Sequence, residues 1–120
     1  MLQVEINTET RTKQSITIDN NSYFIELAWT GLFWNLSLLY SDNTRVVANV
    51  KVVPNFPLLS FSGRTKMAKI NKQLVRFRGE IVVTLSDYSR ELKADDFVTG
   101  RAKLFIVEGD ELDALLAENR

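Results

Sequence analysis

Apolar and polar residues alternate along most of the chain, which is the period-two pattern of β-strands. At the start of the sequence, Leu2, Val4 and Ile6 alternate with polar neighbours. The same alternation, often with β-branched or aromatic residues, predicts strands at residues 2–6, 16–19, 23–29, 33–40, 45–53, 79–85 and 101–107. Short strands joined by turns at this spacing predict an all-β domain, either a small antiparallel sandwich or a partly open barrel.

Turn-forming and polar residues separate the predicted strands. Asn20 and Asn21 favour a tight hairpin, because asparagine tolerates the left-handed backbone conformation. Residues 11–14 and 87–99 are interpreted as polar connections, the second with one helical turn. The last predicted element is a short C-terminal helix that Asp110 caps, and its apolar face consists of Leu112, Leu115 and Leu116.

The composition is that of one ordinary soluble domain. The chain has 120 residues, of which 45% are hydrophobic and 25% charged, so we expect a single β domain over residues 1–120. The first residues lack the basic and apolar regions of a signal peptide, and no apolar run is long enough for a membrane helix. We therefore expect no association with a membrane. The sequence has no cysteine, which fits synthesis in a reducing compartment.

The residue types that most enzymes and metal sites need are missing, since the sequence contains no histidine and no cysteine. Histidine is the commonest general base and, with cysteine, the main zinc ligand. Carboxylate pairs such as Asp95 and Asp96 do not meet the separation across a cleft that a glycosidase requires. Adjacent acids on a strand point to opposite faces, and acids in a turn mostly cap the backbone or contact water. We therefore expect no enzymatic activity, no small-molecule substrate, no cofactor and no metal.

Basic and acidic residues are segregated along the chain, although the net charge is zero. Residues 61–79 contain six bases and no acid, whereas acids dominate from Glu80 onward. Such segregation suits contacts between copies or with neighbouring proteins, and rings of one subunit join one patch to a different patch next door. The predicted contact residues are the bases of that segment, an apolar patch before it and the C-terminal helix: Arg64, Lys66, Lys69, Lys72, Arg76, Arg78, Phe56, Leu58, Leu59, Asp110, Leu112, Leu115 and Leu116.

Two other binding functions fit parts of the pattern. A single-stranded nucleic-acid-binding β-barrel module would use residues 61–79 with Trp29 or Trp34 as stacking residues. A neutral domain with few aromatic residues beside its bases argues against that function. A carbohydrate-binding module would stack the same tryptophans on sugar rings, but aromatic residues that alternate within strands more often belong to the core. We therefore prefer a protein–protein role.

Several stretches of the sequence resemble the baseplate plug proteins of contractile-tailed phages and prophages, of the kind found in cyanophage tails. They are the opening strand LQVEI, the hairpin QSITIDNNSYFIELAWT, the segment FWNLSLLYSDNTRVVANVKVVPNFPLL and the C-terminal AKLFIVEGDELDAL. The residues that would align first are Trp34, Asp42, Leu58 and Leu59. Residues 60–78 are richer in bases than the family pattern, so the resemblance leaves open which neighbour they contact.

The resemblance implies a structural protein of the virion. Such a protein would be made in the host cytoplasm and would lie in the tail baseplate, at the distal end of the tail tube near the central hub. It would close or organise the tube as part of a ring. Its partners would be tail tube and baseplate hub proteins, together with further copies of itself in a homo-oligomer.

Overall fold

Strands dominate the part of the chain that the structure describes. The protein is represented by a computed structural model that describes residues 2–6, 10–18, 20–59, 68–70, 72–75, 77, 79–86 and 91–108. The elements are β1 (Leu2–Val4), β2 (Arg11–Ile18), β3 (Asn21–Trp29), β4 (Trp34–Tyr40), β5 (Arg45–Lys51), β6 (Ala68–Ile70), β7 (Gln73–Val75), β8 (Gly79–Leu85), α1 (Asp96–Thr99) and β9 (Ala102–Glu108). No helix among these residues is long and apolar enough to cross a membrane.

The strands form two antiparallel sheets and a separate hairpin. The four-stranded sheet is a meander in the order β2-β3-β4-β5, in which each strand pairs with the next along the chain. The three-stranded sheet has the order β1-β9-β8, so the first strand pairs with the last. β6 and β7 pair with each other. The all-β prediction is confirmed, as a two-sheet arrangement with one short helix and no closed barrel among the described residues.

Alternate residues of the two sheets form one hydrophobic core. Ile25 of β3 pairs with Leu38 of β4 in the four-stranded sheet, and both side chains are 0% exposed. Ile81 of β8 and Ile106 of β9 pair in the same way in the other sheet, and all four belong to a single buried cluster. Burying a side chain of this size stabilises the fold by about 1.5–3 kcal/mol. The burial of these alternating apolar side chains therefore holds the two sheets together.

Residues 52–59 run from the end of β5 along the edge of β8. The backbone N–H of Asn55 donates to the carbonyl of Val83 at 2.6 Å. Farther along, the N–H of Leu59 donates to the Glu80 carboxylate at 2.6 Å, and the N–H of Ile81 donates to the same oxygen at 2.9 Å. Glu80 is 3% exposed, and since a buried carboxylate needs such donors, it fixes this segment against β8.

Among the described residues, four of the five non-glycine positions with a positive φ are asparagines. Asn20 has a φ of 66° between β2 and β3, and Asn43 has a φ of 68° between β4 and β5. The predicted hairpin is confirmed, although its turn includes Asn20 and not Asn21, which already belongs to β3 and pairs with Ile18. Asn49, with a φ of 54°, lies in β5 where the register with β4 shifts, so it forms part of an irregularity that interrupts that strand.

The structure corrects two details of the sequence interpretation. The polar connection predicted at residues 11–14 is wrong, because these residues begin β2 and pair with β3. The apolar surface patch predicted after Pro54 is also corrected, since Leu58 and Leu59 are 2% and 4% exposed and belong to the core. The helical turn predicted within residues 87–99 is confirmed by α1. The predicted C-terminal helix lies outside the described residues.

Candidate functional site

The outer face of the four-stranded sheet carries a cluster of basic side chains. Lys13 of β2 pairs with Glu26 of β3, and their side chains alternate with the core-facing ones. On β5, Arg45 pairs with Leu39 of β4, and Lys51 pairs with Asn35 at the other end of the strand. We call this surface the basic face. It carries four bases and one acid, hence a formal charge of +3: Arg11, Lys13, Arg45, Lys51 and Glu26.

Aromatic rings and one carboxylate hold the lysines of the basic face in place. The Lys13 ammonium lies 4.9 Å from the centre of the Phe24 ring and 3.7 Å from a Glu26 oxygen. It also donates to the side-chain oxygen of Asn43 at 3.0 Å. The Lys51 ammonium lies 5.2 Å from the centre of the Phe33 ring. These cation–π contacts stabilise a positive surface whose charges are held close to the sheet.

Of the two tryptophans considered for ligand stacking, Trp34 is buried and Trp29 is partly buried. Trp34 is 0% exposed, and its indole N–H donates to the carbonyl of Lys93 at 3.1 Å. Its ring centre lies 5.7 Å from that of Trp29 and 5.3 Å from that of Phe97 in α1. Trp29 is partly buried against the same core. Trp34 therefore offers no ring face to a base or a sugar, which removes one of the two stacking residues that the alternative functions named.

Of the adjacent carboxylates Asp95 and Asp96, Asp96 is buried and hydrogen-bonded within the fold. Asp96 is 2% exposed, and its Oδ2 accepts from the backbone N–H of Lys93 and from Nη1 of Arg101, each at 2.6 Å. Arg101 also donates to the carbonyl of Glu91 at 3.4 Å. The ion pair thus fixes the loop before β9. Within the described residues, no group of three acidic side chains comes together in a way that could hold a metal ion.

The contact residues predicted from the sequence are only partly described. Lys72 lies exposed in the turn between β6 and β7 with a φ of 63°, and Lys69 pairs with Leu74 in that hairpin. Phe56 is 49% exposed, so it alone of the predicted apolar patch remains at the surface. The following predicted residues lie outside the described ranges: Arg64, Lys66, Arg76, Arg78, Asp110, Leu112, Leu115 and Leu116.

Sequence reasoning missed the basic face, because its members come from strands that are distant along the chain. The alternation that could have revealed it is present in β2, where Arg11 and Lys13 alternate with Thr12 and Gln14. Those two inward residues are polar, so the alternation did not stand out by hydrophobicity. A linear cluster such as residues 61–79 is easier to recognise than a surface assembled by strand pairing.

Comparison with known protein families gives one match to most of the chain. The model of a family described as cyanophage baseplate Pam3 plug gp18 matches residues 1–110. A search of curated proteins found no match.

Proposed function

This chain belongs to the cyanophage baseplate plug family, and we propose that it closes or organises the distal end of a phage or prophage tail tube near the central hub. The family is one of structural proteins of the phage baseplate. The proposal adds tail tube and hub proteins as direct partners, further copies of the chain in a homo-oligomer, a place in the virion and no enzymatic activity. The family match over residues 1–110 is the observation that carries it.

The geometry of the fold supports a function in which the protein binds its neighbours through its surface. The core joins both sheets, and Asp96 and Glu80 each fix a connecting segment beside it. Such a body presents its outer faces with little rearrangement. The basic face, with a formal charge of +3, would favour an acidic surface on a neighbouring protein, since complementary potentials select partners and guide association.

The segregated charges along the sequence supply a second contact within this proposal. The basic segment of one copy, residues 61–79, would contact the acidic C-terminal region of the next copy in a head-to-tail ring. Replacing Lys69, Lys72 and Arg76 together by Glu should weaken assembly and change its dependence on salt. The matched control is Lys103→Glu, an exposed lysine on β9. Ring formation that is the same in both variants, measured as mass by light scattering, would remove this contact from the proposal.

A deletion experiment tests the proposed function. The phage or prophage that encodes the chain is prepared without it, and its tails are imaged by electron microscopy. We expect tails that are incomplete at the distal end of the tube, and we expect the purified chain to restore them. Complete and infective tails that form without the chain would contradict the proposal.

The basic face supports a second candidate, a single-stranded nucleic acid as partner. Phosphate contacts would give an affinity that falls steeply with salt, which a filter-binding titration measures. Tryptophan fluorescence separates this candidate from a stacking module. The emission of buried Trp34 should be blue-shifted and should not respond to oligonucleotides or glycans. Under the baseplate proposal we expect no salt-sensitive retention of single-stranded DNA or RNA.

A further inference from the structure

The outer edge of β2 has no partner strand in the described part of the fold. β2 is the first strand of the four-stranded sheet and pairs with β3 alone. The backbone N–H of Trp29 donates to the carbonyl of Thr10 at 2.7 Å, so Thr10 and Trp29 form a hydrogen-bonded pair. Hydrogen-bonded pairs therefore alternate with non-bonded ones along β2 from that position. Even-numbered residues of β2 therefore bond to β3, and the N–H and C=O groups of Lys13, Ser15 and Thr17 point away from it.

The other edges of the two larger sheets are protected, each by a different feature. The irregularity at Asn49 interrupts β5, and the N–H of that residue is directed to the side chain of Ser37 at 2.9 Å. β8 is covered by residues 52–59, and β1 is only three residues long. Bulges, covering segments and short strands are the usual ways in which proteins block edge pairing. β2 has eight regular residues and none of these features.

A lysine on an edge strand can also block pairing, but the side chain of Lys13 extends in the other direction. Its ammonium contacts Phe24 and Glu26 on β3 and then Asn43, beyond β4. The side chain therefore lies across the sheet and leaves the backbone edge accessible. Ser15 and Thr17, which follow it, are exposed and small. Among the described residues, no strand pairs with the edge from Lys13 to Thr17, which can therefore accept an additional strand.

We propose that this edge binds an extended acidic segment of a neighbouring protein, which adds to the four-stranded sheet as a fifth strand. Backbone hydrogen bonds would supply the affinity, as in other cases of β-strand addition. Charge selects the occupant, because β2 carries Arg11, with a side chain 75% exposed, and Lys13, which together outnumber Glu26, the one acid that both contact. A second copy of β2 would bring no acidic residue opposite these bases, because residues 11–18 contain none. The inference deepens the proposed function, and it rests on that function only for identifying the neighbour as a baseplate protein.

The edge can be tested with synthetic peptides and the purified full chain. One peptide of eight residues alternates Thr and Glu, and a matched peptide alternates Thr and Lys. We expect the acidic peptide to bind about tenfold more tightly than the basic one at low salt, by fluorescence anisotropy, and to slow amide hydrogen exchange at Lys13, Ser15 and Thr17. Equal affinities, or protection that does not include these three amides, would overturn the proposal.

Proline at Ser15 gives the decisive variant. Ser15→Pro removes an N–H that faces the open edge and is not bonded to β3, so the fold should tolerate it, since prolines are found on edge strands. We expect it to weaken acidic-peptide binding about tenfold or more, whereas Ser15→Ala, which keeps the N–H, should bind normally. Unfolding midpoints of both variants show whether the sheet is intact. Binding that persists in folded Ser15→Pro would refute the proposal.

Two further outcomes separate this inference from its alternatives. Lys13→Glu should reduce the preference for the acidic peptide even if Ser15→Pro does not fold, and an unchanged preference would contradict the charge argument. A mass that rises with concentration, without peptide, and that Ser15→Pro abolishes would show a second copy as the occupant and overturn the acidic-segment proposal. Because the assay uses the purified chain, its failure leaves the baseplate role intact, and failure of the baseplate role leaves the peptide result standing.

Discussion

The ion pair between Asp96 and Arg101 is buried beside the core, and its removal should cost the fold a measurable part of its stability. The Asp96 side chain is 2% exposed, and the Arg101 side chain is 24% exposed. Their contact is 2.6 Å long, and the same carboxylate oxygen accepts from the N–H of Lys93 at 2.6 Å. The perturbation is the set Asp96→Ala, Arg101→Ala and the double variant.

The magnitude follows from the burial of the two partners. Removing one member of a fully buried pair costs about 3–5 kcal/mol, because the other is left without compensation. Arg101 can regain water through its exposed quarter, so we expect Asp96→Ala to lower the free energy of unfolding by about 3 kcal/mol, near the low end of that range. Hydrogen bonds to charged groups contribute about 1.5–3 kcal/mol, so the coupling energy of the pair should be about 2 kcal/mol.

A second pair in the same chain supplies the control. Arg11 and Glu26 are 3.9 Å apart, and their side chains are 75% and 26% exposed. Exposed pairs of this kind couple by less than about 1 kcal/mol, and salt screens them. Urea unfolding of both double-mutant cycles, at low and high salt, measures the two coupling energies. If the Asp96–Arg101 coupling energy is no larger than that of the surface pair, the buried ion pair does not fix the loop before β9, and the reasoning is refuted.

Two further predictions concern the strand ends and turns. A Cβ at Gly79, with a φ of +152°, would lie 2.5 Å from the carbonyl oxygen of Val107, whereas one at Gly31, with a φ of +100°, would meet no atom within 4 Å. Gly31→Ala should therefore cost only the backbone strain of about 1–2 kcal/mol, and Gly79→Ala clearly more, so equal shifts in urea midpoint would contradict the packing. The hydrogen bond from the backbone N–H of Thr44 holds the pKa of Asp42 below its ordinary value. Its stabilisation is thus present above the unfolded pKa and is lost as pH falls through the folded pKa, and an NMR titration midpoint at or above the unfolded value would be inconsistent with that turn.

The core strands could be predicted because alternation fixes both the element and its buried face. Ile81 and Ile106 lie where the period-two pattern puts them, and each is 0% exposed. The start of β2 could not be found in this way, since Thr12 and Gln14 occupy its inward positions at the edge of the sheet, where burial is only partial. A polar residue at a half-buried edge position carries little information about the face on which it lies.

The contact surfaces were harder to predict, for reasons of pairing rather than composition. Leu58 and Leu59 follow a proline and look like an exposed apolar pair, but the bond from Leu59 to buried Glu80 draws this segment into the core. Glu80 itself is an acid that the sequence alone would place in solvent. The basic face needs Arg11 and Lys51 to be brought onto one surface by β3 and β4, which no linear cluster indicates.

Immunogold electron microscopy of intact virions tests the central claim most directly. Antibodies against the purified chain are applied to particles of the phage that encodes it and to particles that lack it. The baseplate account predicts gold at the distal end of the tail, and none on particles without the chain. Gold confined to another part of the virion, or a chain found only in the soluble fraction of the lysate, would contradict the account.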